Sequence, residues 1–366
     1  MAPVYFLLVM TTMMRAAVGM ATSWAGDQSR LHDPQKAVES RSVSVGFSFQ
    51  PSYVAGTVLF EDDDGNLEWH TEIDRSSNAY QKVMAKLSLP SSRHLAPPYD
   101  DMEEMWRDLP RKALRESLKL VGLPASYEVG ILGHAAQRLR TKLEKTHNIH
   151  IDGAVFTGSH LTALYQDDLE DVAAFLKIHY FTPNWQFRPF VWESASAYAG
   201  YGFGLCEHWR DEAICEKEME EMENLPVMSV HFTRNALTVA MPVIHAAVMA
   251  WEPDGRHFEN FTLGSDAIVN YPTHDAYWAD VREFLLSVTW VHPGARAPRR
   301  IIVLGDMVDE HFLRVLRETV VAHWGDDEVG PIHSHLAESA SSRGAAEFMR
   351  RGPASWASMK GDDVEL

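Results

Sequence analysis

Two stretches of this chain share one grammar, and that repetition limits the folds open to it more than any other feature. In the first half Val43, Val45 and Phe47 alternate with small polar residues, Val54 to Phe60 follows a short turn, and Leu67 to Ile73 returns across the acidic turn Asp62-Asp63-Asp64-Gly65-Asn66. Such alternation marks strands with one buried face, and the Asp-Gly pair marks a hairpin. In the second half Val227 to Phe232 and Leu237 to Met241 read as strands, with Ile244 to Glu252 as a third before the turn Pro253-Asp254-Gly255. A later apolar strand follows in each half, Asp152 to Thr157 and Arg300 to Leu304.

Helical spacing fills the intervals. Met102, Met105, Trp106, Leu109, Leu114 and Leu118 predict a helix within Tyr99 to Leu120, broken at Pro110. Further helices are expected over Gly133 to Glu144, Leu161 to Leu176, Asp275 to Val288 and His311 to His323. The acidic stretch Asp167 to Asp171 reads as a solvated face. Strands alternating with helices predict an α/β chain, and 366 residues suffice for two lobes.

Composition narrows the function classes. With 46% hydrophobic and 23% charged residues the chain has the balance of a packed body and not of a disordered one. A formal net charge of -18 opposes phosphate backbones and anionic surfaces, so nucleic acid is not an expected partner. The basic pairs Arg299-Arg300 and Arg350-Arg351 are too short to form a patch. Residues 1–22 contain an apolar run, Val4 to Met14, that ends at Arg15, short of the ~20 residues a spanning helix needs. They read as a cleaved signal peptide, which implies a secretory route; otherwise the chain is cytoplasmic. Residues 23–41 read as a linker and 352–366 as a flexible tail, whose last four residues, Asp363-Val364-Glu365-Leu366, depart from an ER-retention signal. Cys206 and Cys215 are either a local disulfide or two free thiols. Asn260 opens a glycosylation acceptor, Asn260-Phe261-Thr262, but its strand-like surroundings predict a buried, unmodified side chain. His245, His257 and His274 lack metal-ligand spacing, so no metal site is expected, and His333 and His335 read as loop residues.

Five segments carry a family resemblance. Val45 to Tyr53 (Val-Gly-Phe-Ser-Phe-Gln-Pro-Ser-Tyr) resembles the first phosphate loop of heat shock protein 70 chaperones, Gly-Ile-Asp-Leu-Gly-Thr-Thr-Tyr. Glu193 to Gly202 (Glu-Ser-Ala-Ser-Ala-Tyr-Ala-Gly-Tyr-Gly) is similar to their Glu-Pro-Thr-Ala-Ala-Ala-Ile-Ala-Tyr-Gly, and the following Phe203-Gly204-Leu205-Cys206 to that of divergent fungal members. Val230 to Val239 stands where the second phosphate loop belongs, Ile301 to Met307 resembles the adenosine motif, and Arg343-Gly344-Ala345-Ala346 matches the terminal helix. The chain thus resembles the actin-like and heat shock protein 70 superfamily, reduced to its nucleotide-binding lobes. The resemblance implies a duplicated ribonuclease H-like, two-lobed fold, with lobes at 42–190 and 191–351 and the second one shortened. Only about thirty-five residues separate Ser265 from Arg300, where the chaperones carry a subdomain that walls the adenine pocket.

The same alignment marks what is lost. Ser48 and His231 stand where the family has the two aspartates that organise magnesium, a hard cation that demands oxygen ligands. Gln50, Thr233, Arg234 and Asn235 occupy the turns whose glycines let backbone amides approach phosphates, and Ser52 is a further remnant of the site. Gly305, followed by Asp306, and the carboxylate of Glu193 survive. The family role of Glu193 is to order water near the metal; its structural role would be a helix N-terminal carboxylate. The resemblance therefore implies a pseudo-ATPase acting as a binding or regulatory module for a protein partner, with no cofactor. The alternative is an ATPase with a remodelled site that takes ATP and magnesium, or another anion, through Arg234, Ser52, Thr233 and Glu193.

Overall fold

The fold is described from a computed structural model over residues 41–352, apart from 76, 98, 182–190, 250–256 and 292–294. The expected signal peptide, most of the linker and all but the first residue of the tail lie outside the described residues.

The first sheet is built from β1 (Ser42–Phe49), β2 (Tyr53–Glu61), β3 (Leu67–Arg75), β4 (Gly153–Gly158), β5 (His179–Phe181) and β6 (Val191–Trp192). β1, β2 and β3 form an antiparallel meander, β4 runs parallel to β1 and β5 parallel to β4, so the order is β3-β2-β1-β4-β5. At the β2–β3 turn the Asp62 carboxylate accepts the N–H groups of Asp64 and Asn66 at 3.0 and 2.8 Å, and Gly65 takes a φ of 81° that a side chain would oppose. Four helices complete this half: α1 (Asn78–Leu87), α2 (Met102–Leu120), α3 (Tyr127–His147) and α4 (Gln166–Leu176). Val54, Val58, Phe156, Leu132, Leu139 and Val172 fill the core between sheet and helices.

The next two helices, α5 (Glu193–Gly200) and α6 (Glu212–Glu221), lead to a second sheet made of β7 (Leu225–Phe232), β8 (Leu237–Ala240), β9 (Val243–Ile244), β10 (His257–Asn260), β11 (Arg300–Leu304) and β12 (Ile332–His333). Its order, β10-β8-β7-β11-β12, repeats that of the first sheet strand for strand, with an antiparallel meander followed by two parallel partners. α7 (His274–Leu285) and α8 (Glu310–Trp324) cover it through Tyr277, Val281, Phe312 and Leu316. The chain is thus an α/β protein with two mixed sheets, as the repeated grammar predicted.

The final helix, α9 (Ala340–Arg351), returns to the first sheet: Ser342 Oγ is 2.7 Å from Thr57 Oγ1, and a Cβ on Gly46 would strike the Ser342 carbonyl. α5 packs with Val227, Ile302 and Leu304 of the second sheet. The two helices cross closely because Gly200 and Gly344 leave room for each other's backbone. Ser196 Oγ adds a 2.6 Å bond to the Ser341 carbonyl. β6, at 191–192, pairs with β4 of the first sheet, and α9 lies beside the first sheet as well.

Some expectations are corrected. The helix α2 runs unbroken through Pro110, because the proline sits on the exposed face, where water can take the carbonyl it leaves unpaired. The third strand of the second meander is β10 and not Ile244 to Glu252. β9 continues the register of β8 along β7, interrupted only at Met241-Pro242, so Ile244 ends the second strand. α4 begins at Gln166, and its acidic residues are not a solvated face: Asp168 and Asp171 are buried against Arg115 of α2. His333 lies in β12 and not in a loop.

Asn260 closes β10 half-exposed, contrary to the expected burial, with its Oδ1 accepting the N–H and Oγ1–H of Thr262 at 2.8 and 2.7 Å. Cys206 and Cys215 form a disulfide, with Cα atoms 5.3 Å apart. Among the described residues no helix is long and apolar enough to cross a membrane.

Candidate functional site

Parallel strands of an α/β sheet present their carboxyl ends to a common crevice, the usual place for a ligand. Here that crevice receives the β1–β2 turn (Gln50 to Ser52), the segment after β4 (Ser159), the N-terminus of α5 (Glu193), the β7–β8 turn (Thr233 to Ala236) and the end of β11 (Gly305, Asp306). The nucleotide-site candidates Ser48, Gln50, Ser52, Glu193, His231, Thr233, Arg234, Gly305 and Asp306 are brought here.

They are spent on one another. Ser159 Oγ donates to Glu193 Oε2 at 2.7 Å, and the same oxygen accepts His231 Nδ1 at 3.0 Å. Gln50 bridges from Ser48, which accepts its amide N–H, to Ser159, 3.2 Å from its Oε1. Glu193, His231, Ser48 and Gln50 are each 2% exposed or less. The Nδ1–H···carboxylate bond sets the imidazole's orientation, and its Nε2 has no partner. The edge of that ring meets Tyr53, at 6.3 Å between centroids.

A second set of bonds joins the turns. Ser52 Oγ donates to Asp306 Oδ1 at 2.9 Å, Asn235 Nδ2 to the Pro51 carbonyl at 2.9 Å, and Arg234 Nε lies 3.6 Å from Asp306 Oδ2. The turn amides are also used internally. Gln50 N–H goes to the Tyr53 carbonyl at 2.9 Å, Thr233 N–H to the Ala236 carbonyl at 2.9 Å, and Pro51 has no N–H to offer. The Tyr80 hydroxyl, 2.8 Å from the Gln50 carbonyl, holds the first turn from below, and burial keeps its proton on well above the usual phenol range. Ser265 and Asp266 donate their N–H groups to the carbonyls of Thr233 and Arg234, so the short segment after β10 braces the second turn.

Gly305 is required by packing: its φ is 119°, and a Cβ there would lie 1.9 Å from the Phe232 carbonyl. Sequence reasoning missed Ser159, Tyr80 and Tyr53. Ser159 had a readable signal, since it directly follows a parallel strand. The tyrosines had none, because their roles come from contacts between distant segments, as does the bond from Asn235 to Pro51.

A magnesium-bound triphosphate asks for free turn amides, close glycine backbone and acidic anchors for hydrated metal. The residues present do not fit it. Glu193 and Asp306 each have protein partners, and the turn amides named above are bonded within their own turns. Among the described residues no three His, Cys, Asp or Glu side chains are placed to share a metal ion.

Beside the crevice a second cluster joins the halves. His160 stacks on Trp192 at 4.5 Å and on His257 at 5.2 Å, and burial holds its imidazole well below the usual histidine range. On β10, Glu259 meets Thr162 and Arg93 of the first half, and burial pushes its carboxyl up to about 7. A carboxyl raised in the folded state binds its proton more tightly there than in the unfolded chain, so its contribution is full at low pH and fades as pH rises from about 4.5 to about 7. Glu259→Gln is therefore expected to flatten the fall in stability across that window and to leave the protein more stable than the parent at pH 8, as read by urea denaturation at each pH. An unchanged slope would contradict the assignment.

No protein-family profile matches the chain, and no curated protein matches it.

Proposed function

We propose that this chain is a divergent relative of the actin-like and heat shock protein 70 superfamily whose phosphate site is closed by its own side chains, and that it works as a pseudo-ATPase, a binding or regulatory module for a protein partner. The reading is supported by two sheets of one strand order, by the crossing of α5 and α9 between them, and by the five resembling segments in family order. The observation that carries it is the pair of bonds Ser52–Asp306 and Asn235–Pro51, which tie together the turns between which phosphates would have to enter. The Cys206–Cys215 disulfide favours an oxidising compartment and so the secretory route.

The test is thermal unfolding with ATP and magnesium. A ligand at 1,000 times its Kd stabilises a fold by about 4 kcal/mol, which moves Tm by several degrees. No shift is expected at millimolar ATP. A saturable shift with micromolar midpoint, removed by Arg234→Ala, would instead favour the remodelled-site alternative, in which the half-exposed Arg234 grips the anion.

A further inference from the structure

α2 is inside out. Its inner side carries Asp108, Arg111, Arg115 and Lys119, and the three cations fix it to α4: Arg115 Nε to Asp171 at 2.7 Å, Arg115 Nη1 to Asp168 at 3.0 Å, Lys119 Nζ to Asp171 at 2.7 Å and Arg111 to Asp167 at 2.8 Å. Its outer side is apolar. Met102, Trp106, Leu109, Ala113, Glu116 and Leu120 follow one another at alternating steps of four and three residues, which is the seam of a coiled coil, and all six face solvent. Trp106 is 61% exposed, Leu114 61% and Leu120 84%, and Leu123 just beyond the helix is 54% exposed. An amphipathic helix held by ion pairs with its hydrophobic seam outward has no stabilising reason to be so in an isolated chain, since large contiguous apolar patches mark interaction surfaces.

The geometry points to a second copy of this chain as the occupant, its α2 antiparallel to the first across a two-fold axis between Ala113 and Glu116. Three features of the seam select that partner. The bulky residues lie at its two ends and the smallest, Ala113, in the middle. A register that sets Leu109 against Leu120 of the second copy therefore also sets Trp106 against Leu123, and leaves Ala113 opposite Glu116. The same register brings Lys112 beside Glu116 of the other copy, twice by symmetry, as an isologous contact requires. Glu116, already 2.5 Å from Lys119 of its own chain, then sits between two cations. Self-association through α2 is independent of whether the crevice binds nucleotide.

The experiment is the mass of the full chain in solution by light scattering on a sizing column. Twice the chain mass is expected. The double substitution Trp106→Glu with Leu109→Glu should raise the dissociation constant at least about 30-fold, as loss of bulky interface anchors does, while leaving Tm of the monomer unchanged because both side chains are exposed. Ala113→Cys, on the seam beside the axis, should cross-link two copies under mild oxidation, and Val269→Cys, also exposed but after β10, should not. A wild-type mass of one chain would overturn the proposal, and so would a dimer that survives the double substitution or that cross-links equally through both cysteines.

Discussion

Glu193→Ala should cost about 3–5 kcal/mol of folding stability, the loss that follows when one member of a buried, hydrogen-bonded polar set is removed and its partners stay behind. The carboxylate is 2% exposed and is the shared acceptor for Ser159 and His231. Without it the imidazole has neither nitrogen satisfied, since Nε2 has no partner to begin with. A residue kept for catalysis would behave differently, because active-site substitutions commonly spare stability or raise it. Urea denaturation reads the difference: a loss below about 1 kcal/mol would mean that Glu193 does not hold the crevice together. Replacing Glu193 and His231 together by leucine should recover much of the loss, because exchanging a whole buried polar pair for apolar groups of similar volume is often neutral.

Arg115→Ala has an effect of similar size, again about 3–5 kcal/mol, and acts on the first half of the chain. Its guanidinium is the partner of Asp168 and shares Asp171 with Lys119, and Arg115 and the two carboxylates are nearly out of water. The substitution strands Asp168, whose carboxyl burial already pushes up, and loosens α2 from α4. Denaturant melts should show the loss at neutral pH. Because α2 presents the proposed dimer contact, the same variant should also weaken self-association, whereas Trp106→Glu with Leu109→Glu weakens association alone. A variant as stable as the parent would show that the charged inner face of α2 does not anchor it.

How far the sequence could be read follows from how local each feature is. The two strand sets were legible because period-two alternation is written in neighbouring residues, and β1, β2, β3, β7, β8 and β11 fall where it places them. The third strand of the second meander was misread because Val243–Ile244 and His257–Asn260 are separated by residues as apolar as a strand. Only the register along β7 tells which belongs where. Asp167 to Asp171 looked solvated because a run of acids carries no mark of its partner, and Arg115 lies more than fifty residues earlier. Pro110 looked like a break because the cost of proline depends on whether the freed carbonyl meets water, which exposure decides. In the crevice, the losses at Ser48, Gln50, His231 and Thr233 were readable as missing acid and missing glycine. That the replacements bond to each other was not, since no spacing announces that Ser52 meets Asp306 or Asn235 meets Pro51.

The central claim is that the two turns are already closed on their own hydrogen bonds and on each other. Amide hydrogen exchange at Gln50, Thr233 and Ala236, with and without ATP and magnesium, reads that claim directly, because internally bonded amides exchange slowly. The account predicts protection in the free protein and no change on adding nucleotide. Fast exchange in the free protein that slows when ATP and magnesium are added would contradict it.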